Sequence, residues 1–249
     1  MPPMETDLLR RYLEFYQDLG IKTLYRQAPQ AVSQPAPAPA PESPTPMPTA
    51  PALPPLAPVG ESLPRILEDI GDCRRCRLHE GRNKLVFGVG NAGSPVVFVG
   101  EGPGADEDAQ GIPFVGRAGQ LLTQMIEGTA RKEGITLRRD DVYICNVVKC
   151  RPPGNRTPEP DEMEICGQFL ARQLSAIRPK AICALGGTAA RALTGHKEGV
   201  TKMRGKWMQW RDIPVMVTYH PSYLLRPYNE HAKREAWEDL KKLLHFVYD

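Results

Sequence analysis

The sequence predicts an α/β protein: a three-layer α/β/α fold on a central four-stranded parallel sheet, preceded by a disordered Pro/Ala-rich N-terminal extension. Two observations predict it. Four short apolar runs, Val96–Val99, Val142–Val148, Ala181–Leu185 and Val215–Tyr219, alternate with helical patterns. Continuous apolar runs suit strands covered on both faces, and strand–helix alternation implies parallel pairing. The second observation is where the prolines fall. Twelve of the 26 lie between Pro29 and Pro58, with seven alanines, no aromatic residue and one aliphatic β-branched residue, Val32. Such a stretch buries too little apolar surface to offset its ordering entropy.

Taken in order, the chain opens with a segment, residues 1–26, that carries a short amphipathic helix at 6–19. Leu8, Leu9, Tyr12, Leu13, Tyr16 and Leu19 recur at helical spacing, Thr6 can cap the start, and Gly20 can end it. An isolated helix of this length is marginal in water. Its apolar stripe therefore needs a partner, either its own domain or another protein. Residues 27–62 form a semi-rigid linker of polyproline character. The folded domain spans 63–249. Its helical patterns are Ala118–Glu133, Pro160–Ile177 and Thr188–Leu193 between strands, and His231–Val247 at the end.

Charge narrows the function class only slightly. The net charge of +3 divides into −2 for residues 1–62 and +5 for the rest. A mildly basic domain permits a nucleic-acid partner without demanding one. No run of about 20 apolar residues is present, so no membrane partner is expected. The first 20 residues are charged throughout and lack the apolar core of a secretory signal, which makes a cytoplasmic location the default.

Parallel sheets bind ligands beyond the carboxyl ends of their strands, so the residues after each run are the place to look. The first run is followed by Gly100-Glu101-Gly102-Pro103-Gly104, a loop that lets backbone approach a ligand and carries a carboxylate. Phe114 stands a little further on, just ahead of a helix. The second run holds Asn146, whose amide offers both donor and acceptor and suits a base edge. The fourth ends at His220-Pro221-Ser222, with an imidazole placed to donate to a developing anion. Each feature alone has an ordinary structural explanation. Their recurrence at three strand ends points to a site.

Of the six cysteines, Cys145 and Cys183 lie inside apolar runs and read as small core residues. Cys73 and Cys76 form a C-x-x-C pair before the first strand, while Cys150 and Cys166 lie far along the chain. Four thiolates in a two-plus-two arrangement can hold either zinc or an iron–sulfur cluster, and spacing alone does not choose.

The motifs GEGPGADEDAQGIPFVGRAGQLL, NVVKCRPPGNRTP and YHPSYLL, with the four cysteines in order, resemble those of the family 4 uracil-DNA glycosylases. These are bacterial and archaeal base-excision repair enzymes. The resemblance runs from about Leu63 to the C-terminus and leaves residues 1–62 outside it. It implies a monofunctional hydrolase that flips uracil out of DNA and cleaves its N-glycosidic bond as a monomer. It implies a [4Fe–4S] cluster on Cys73, Cys76, Cys150 and Cys166. Glu101 matches the carboxylate beside the attacking water, Phe114 the aromatic that stacks on uracil, and Asn146 the amide that reads its edge. His220 matches the imidazole that contacts uracil O2, and Glu107 the acidic residue that crowds the thymine methyl. Gly102, Pro103 and Ser222 join the substrate-binding set; Gly102 stands where some other uracil-DNA glycosylases carry Asp. No basic, His-containing insert of the covalent DNA-linking relatives interrupts GADEDAQGIPF, which favours hydrolysis. Arg151, Arg156, Ser222 and Arg226 are candidate phosphate contacts, and Tyr223, Leu224 or Leu225 a candidate wedge. The cluster is expected to sit away from the chemistry. The alternatives are a non-catalytic iron–sulfur nucleic-acid-binding module and a glycosylase for another base such as hypoxanthine.

Overall fold

The computed structural model describes residues 60–226 and 229–249. The expected helix at 6–19 and the linker up to residue 59 lie outside the described residues. Within them, all four apolar runs form strands: β2 (Val96–Gly100), β3 (Tyr143–Asn146), β4 (Ala181–Leu185) and β6 (Ile213–Thr218). They pair in parallel in the order β3-β2-β4-β6.

The expected four-stranded sheet is a six-stranded one. β1 (Val89–Gly90) adds to the β3 edge and β5 (Trp207–Trp210) to the β6 edge, both antiparallel. Neither announces itself as an apolar run. Both residues of β1 are exposed, and β5 alternates exposed and half-exposed positions along Trp207-Met208-Gln209-Trp210. Edge strands are covered on fewer sides and need no continuous apolar stretch.

The helices are α1 (Leu63–Ile70), α2 (Ala105–Gln110), α3 (Arg117–Lys132), α4 (Pro160–Ile177), α5 (Gly187–Thr194), α6 (Val200–Met203), α7 (Pro221–Leu224) and α8 (Glu230–Tyr248). Side chains alternate across each strand, so one sheet face presents Val96, Phe98, Ile144, Cys183 and Met216 to α3 and α8. The other presents Val97, Val99, Cys145, Ile182 and Val217 to α4 and α5. Cys145 and Cys183 are fully buried core residues, as expected. α4 starts with Pro160 in its first turn, and Glu162 reaches back to accept the Glu159 N–H at 2.8 Å, a capping arrangement. α1 packs Ile66 and Ile70 on Phe169 of α4. Glu61, assigned to the linker from sequence, is instead paired with Arg172 of α4 at 2.5 Å. A linker composition reaches the last residues before a domain without revealing which of them find a partner.

Phe98 is fully buried at the centre of the sheet, whereas Phe246 on α8 is 53% exposed. Phe98→Ala is expected to cost about 3–5 kcal/mol, and Phe246→Ala under about 0.5 kcal/mol. Urea denaturation of both variants checks the contrast.

Candidate active site

The carboxyl ends of the four parallel strands open into one cleft of about 330 Å³. The loop after β2 contributes Glu101, Gly102, Pro103 and Gly104, and the following segment Glu107 and Phe114. β3 ends in Asn146, β4 leads into Gly186-Gly187, and β6 leads to His220 and Ser222. Every substrate-binding residue expected from sequence therefore lines this cleft.

Register explains the arrangement. Gly100 at the end of β2 lies beside Asn146 at the end of β3. The ladder continues past both ends: Val147 N–H donates to Gly100 O at 3.0 Å and Val148 N–H to Glu101 O at 3.2 Å. Glu101 is thereby held next to Asn146. A Cβ on Gly100 would overlap both the Asn146 Oδ1 and the Phe114 ring, so only glycine lets the amide and the ring close together. Asn146 is buried, and its Oδ1 has no hydrogen-bond partner. A buried acceptor left unpaired is costly and calls for an explanation.

Phe114 adopts φ 54°, the left-handed region that non-glycine residues seldom occupy. Its neighbours enforce that turn. The Glu107 carboxylate accepts the N–H groups of Val115 at 2.9 Å, Gly116 at 3.0 Å and Gly104 at 3.1 Å. Arg139 donates to Pro113 O at 2.8 Å and to Thr123 Oγ1 at 3.1 Å. Gly119 leaves room for the Phe114 carbonyl, against which a Cβ would collide. Glu107 lines the cleft, but its oxygens serve backbone amides, so it fixes the aromatic turn.

His220 caps α7. Ser222 brings its hydroxyl to 2.7 Å and its backbone N–H to 3.2 Å of His220 Nδ1. A backbone N–H only donates, so Nδ1 accepts and the ring proton sits on Nε2. Burial pushes the imidazole pKa down from 6.5 to about 4, although the Glu107 carboxylate pulls it the other way. At neutral pH the ring is an uncharged donor. It lies 5.7 Å, centroid to centroid, from Phe114. The β4 turn packs close behind it: a Cβ built on Gly186, at φ 90°, would lie 3.0 Å from His220 Cβ.

Sequence reasoning overlooked the β4 end. Leu185, Gly186 and Gly187 line the cleft, and the paired glycines after an apolar run were an available signal. Asn155 and Pro152 were likewise missed. Of the candidate phosphate contacts, Arg156 lines the cleft but is paired with Glu162 at 2.7 Å, and Arg151 donates to Asn155 at 2.8 Å. Leu224 is 1% exposed and packs in the core, so it is no wedge; Tyr223 is the exposed member of that trio, stacked on Tyr219 at 5.1 Å. The helical period of α7 turned Leu224 inward, which a flat reading of the segment misses.

Cys73, Cys76, Cys150 and Cys166 surround a second, small cavity together with Arg82, Lys149 and Phe169. All four are free thiols. N–H donors converge on three of the sulfurs: Arg75 on Cys73 at 3.4 Å, Arg82 on Cys150 at 3.2 Å, and the Lys149 backbone on Cys166 at 3.2 Å. Burial pushes the Cys166 thiol up to about 12, so a bound cation is what would remove its proton. Among the described residues no three His, Cys, Asp or Glu side chains stand close enough to hold a single metal ion. The cavity shares no lining residue with the cleft; Lys149 links the two, lining the cavity and donating to the Asn146 carbonyl at 2.7 Å.

Comparison with known proteins agrees with this architecture. Residues 87–241 match the uracil DNA glycosylase superfamily. The chain is 48% identical over 184 residues to the type-4 uracil-DNA glycosylase of Thermotoga maritima, covering 73% of this chain and 93% of that one. It is 44% identical over 191 residues to the type-4 uracil-DNA glycosylase of Archaeoglobus fulgidus, covering 74% and 92%.

The chain belongs to the type-4 uracil-DNA glycosylase family.

A third type-4 relative, from Sulfurisphaera tokodaii, is 43% identical over 191 residues, covering 74% of this chain and 84% of its own. All three alignments span about three quarters of this family member. No helix among the described residues is long and apolar enough to cross a membrane.

Two outcomes test the geometry. Gly100→Ala is expected to abolish the activity of the cleft while the far-ultraviolet circular dichroism stays native. The His220 imidazole should titrate near 4 by NMR; a midpoint near 6.5 would contradict its burial. Between those values the unfolded chain binds a proton that the folded one does not, so stability should fall as pH drops through this window.

Proposed function

We propose that this chain hydrolyses the N-glycosidic bond of uracil in DNA, releasing free uracil and leaving an abasic site for base-excision repair. The observation that carries the reading is the buried, unpartnered Asn146 Oδ1 beside the Phe114 ring. Uracil supplies what that pair lacks. Its N3–H can donate to Oδ1, its O4 can accept from the amide Nδ2, and its face can stack on Phe114. Cytosine would set its amino group against the amide donor and leave Oδ1 unpaired, and unpaired buried groups are what discriminate strongly.

The nucleotide must leave the duplex to reach the cleft, at a cost of a few kcal/mol. Stacking on the aromatic returns about 1–3 kcal/mol of that. As the bond to C1′ breaks, negative charge gathers on the base and positive charge on the sugar. His220 Nε2–H donates to O2 as a neutral group, which stabilises the departing anion without transferring a proton to it. Glu101 orients the attacking water and offsets the positive sugar by electrostatics. Since Gly102 supplies no side chain, leaving-group stabilisation carries much of the barrier. Glu107 contributes by holding the Phe114 turn, which walls the cleft near the pyrimidine C5 and helps exclude the thymine methyl.

The same reading assigns a [4Fe–4S] cluster to Cys73, Cys76, Cys150 and Cys166. The four free thiols around one cavity and the N–H donors that converge on three of them support it. When bound, the cluster cross-links three chain segments and, with its thiolates, carries negative charge. The enzyme is proposed to act as a cytoplasmic monomer.

A duplex with one uracil, followed by alkaline heating, tests the activity; matched cytosine, thymine and hypoxanthine duplexes test the specificity. Only the uracil strand should break. His220→Ala is expected to slow release about 10²–10³-fold. Glu101→Gln should slow it by at least about 100-fold while leaving affinity for a non-hydrolysable uracil analogue unchanged. Intact uracil duplex after incubation with iron-loaded protein would refute the reading.

A further inference from the structure

Lys149 is fully buried. Its Nζ donates to the Asn146 main-chain O at 2.7 Å and to Gln173 Oε1 at 2.6 Å. Gln173 Nε2 in turn donates to Phe87 O at 3.0 Å and to Tyr143 Oη at 3.1 Å. The reason for this side-chain network lies in the sheet. β1 pairs with β3 only at Val89↔Ile144 and Gly90↔Tyr143. Beyond Ile144 the ladder to β1 stops; Val86 N–H serves the Lys149 carbonyl at 2.8 Å, and the Asn146 carbonyl needs another donor. Lys149 and Gln173 take over where the ladder stops, one on the Asn146 carbonyl and one on the Phe87 carbonyl. The Lys149 backbone N–H meanwhile donates to Cys166 Sγ, and Cys150 is the next residue.

We infer that Lys149 is a positioning residue: it holds Asn146 in the orientation that reads the base, and it ties that orientation to the cysteine site. This rests on the assignment of Asn146 as the uracil reader. Lys149 also lines the cysteine cavity, and its own backbone N–H donates to Cys166 Sγ. The hydrogen bond to the Asn146 carbonyl then sets the peptide from which the amide projects. Base recognition and occupancy of the cysteines are therefore coupled through one side chain. The cysteine site does more than cross-link the fold.

The test uses the holoenzyme and measures binding, without turnover. The probes are a duplex containing 2′-fluoro-2′-deoxyuridine and the same duplex with a tetrahydrofuran abasic site. Lys149→Met, with iron content and visible absorbance verified, should bind the uracil analogue about tenfold or more weakly and the abasic duplex as tightly as wild type. It should also lose iron to a chelator faster. Equal affinity of Lys149→Met and wild type for the analogue overturns the inference. A parallel loss on both duplexes also overturns it, since that is a general structural defect. If Lys149→Met does not accumulate with its iron, Gln173→Leu carries the same test, because the lysine stays but loses the acceptor that steers it. A selective loss supports the inference and an unchanged or unselective profile overturns it. Asn146→Ala separates the two levels. If it binds the analogue normally, the base-reading assignment is what fails; if it loses binding while the Lys149 and Gln173 variants do not, only the present inference fails.

Discussion

The parallel register of β2 and β3 sets Gly100 beside Asn146, and the missing side chain at Gly100 decides the dimensions of the cleft. Asn146 Oδ1 and the Phe114 ring both lie against the space that a Cβ at Gly100 would fill. Two adjacent strands, each ending in a bulky residue, would hold them apart. One glycine at the carboxyl end of a central strand removes the obstruction. Because the strand is covered on both faces, the surrounding core cannot relax to readmit a larger residue. The recognition geometry is thus built into the sheet, with the loops completing it.

Around that fixed pair, the remaining groups are restrained from outside the cleft. Phe114 occupies an unfavourable backbone region, and three amide hydrogen bonds to Glu107, the Arg139 clamp and the space at Gly119 keep it there. His220 is restrained by Ser222 on one ring nitrogen, which leaves the proton on the other. Burial keeps it neutral. Such preorganised dipoles work best where water is excluded, because they need no reorganisation as charge develops.

The segment from Asn146 to Cys150 joins two chemistries within five residues. At one end is the buried cleft amide proposed to read the base, and at the other a cysteine of the four-thiol cavity. The β1–β3 ladder ends here, and the side chains of Lys149 and Gln173 satisfy the carbonyls of Asn146 and Phe87. A short edge strand is usually a way of limiting aggregation. In this protein it also frees a carbonyl for a side-chain contact that reaches toward the cysteines.

By itself, the sequence determined the layered α/β fold, the four central strands, the long helices and the cleft at the strand ends. These are legible because apolar periodicity reports burial directly, as in Ala181–Leu185 and Pro160–Ile177. Glu101, Asn146 and His220 were legible because polar residues end apolar runs there, whereas the role of Phe114 came from the family resemblance. The two antiparallel edges were not, since partly exposed strands such as Trp207–Trp210 carry little apolar signal. Nor were the contribution of Gly186 to the cleft, the inward turn of Leu224, the use of Glu107 oxygens by backbone amides, or the Lys149 link between the cysteine cavity and Asn146. Each depends on which groups meet across distant segments. Such encounters are set by sheet register and helix packing, which local periodicity does not encode.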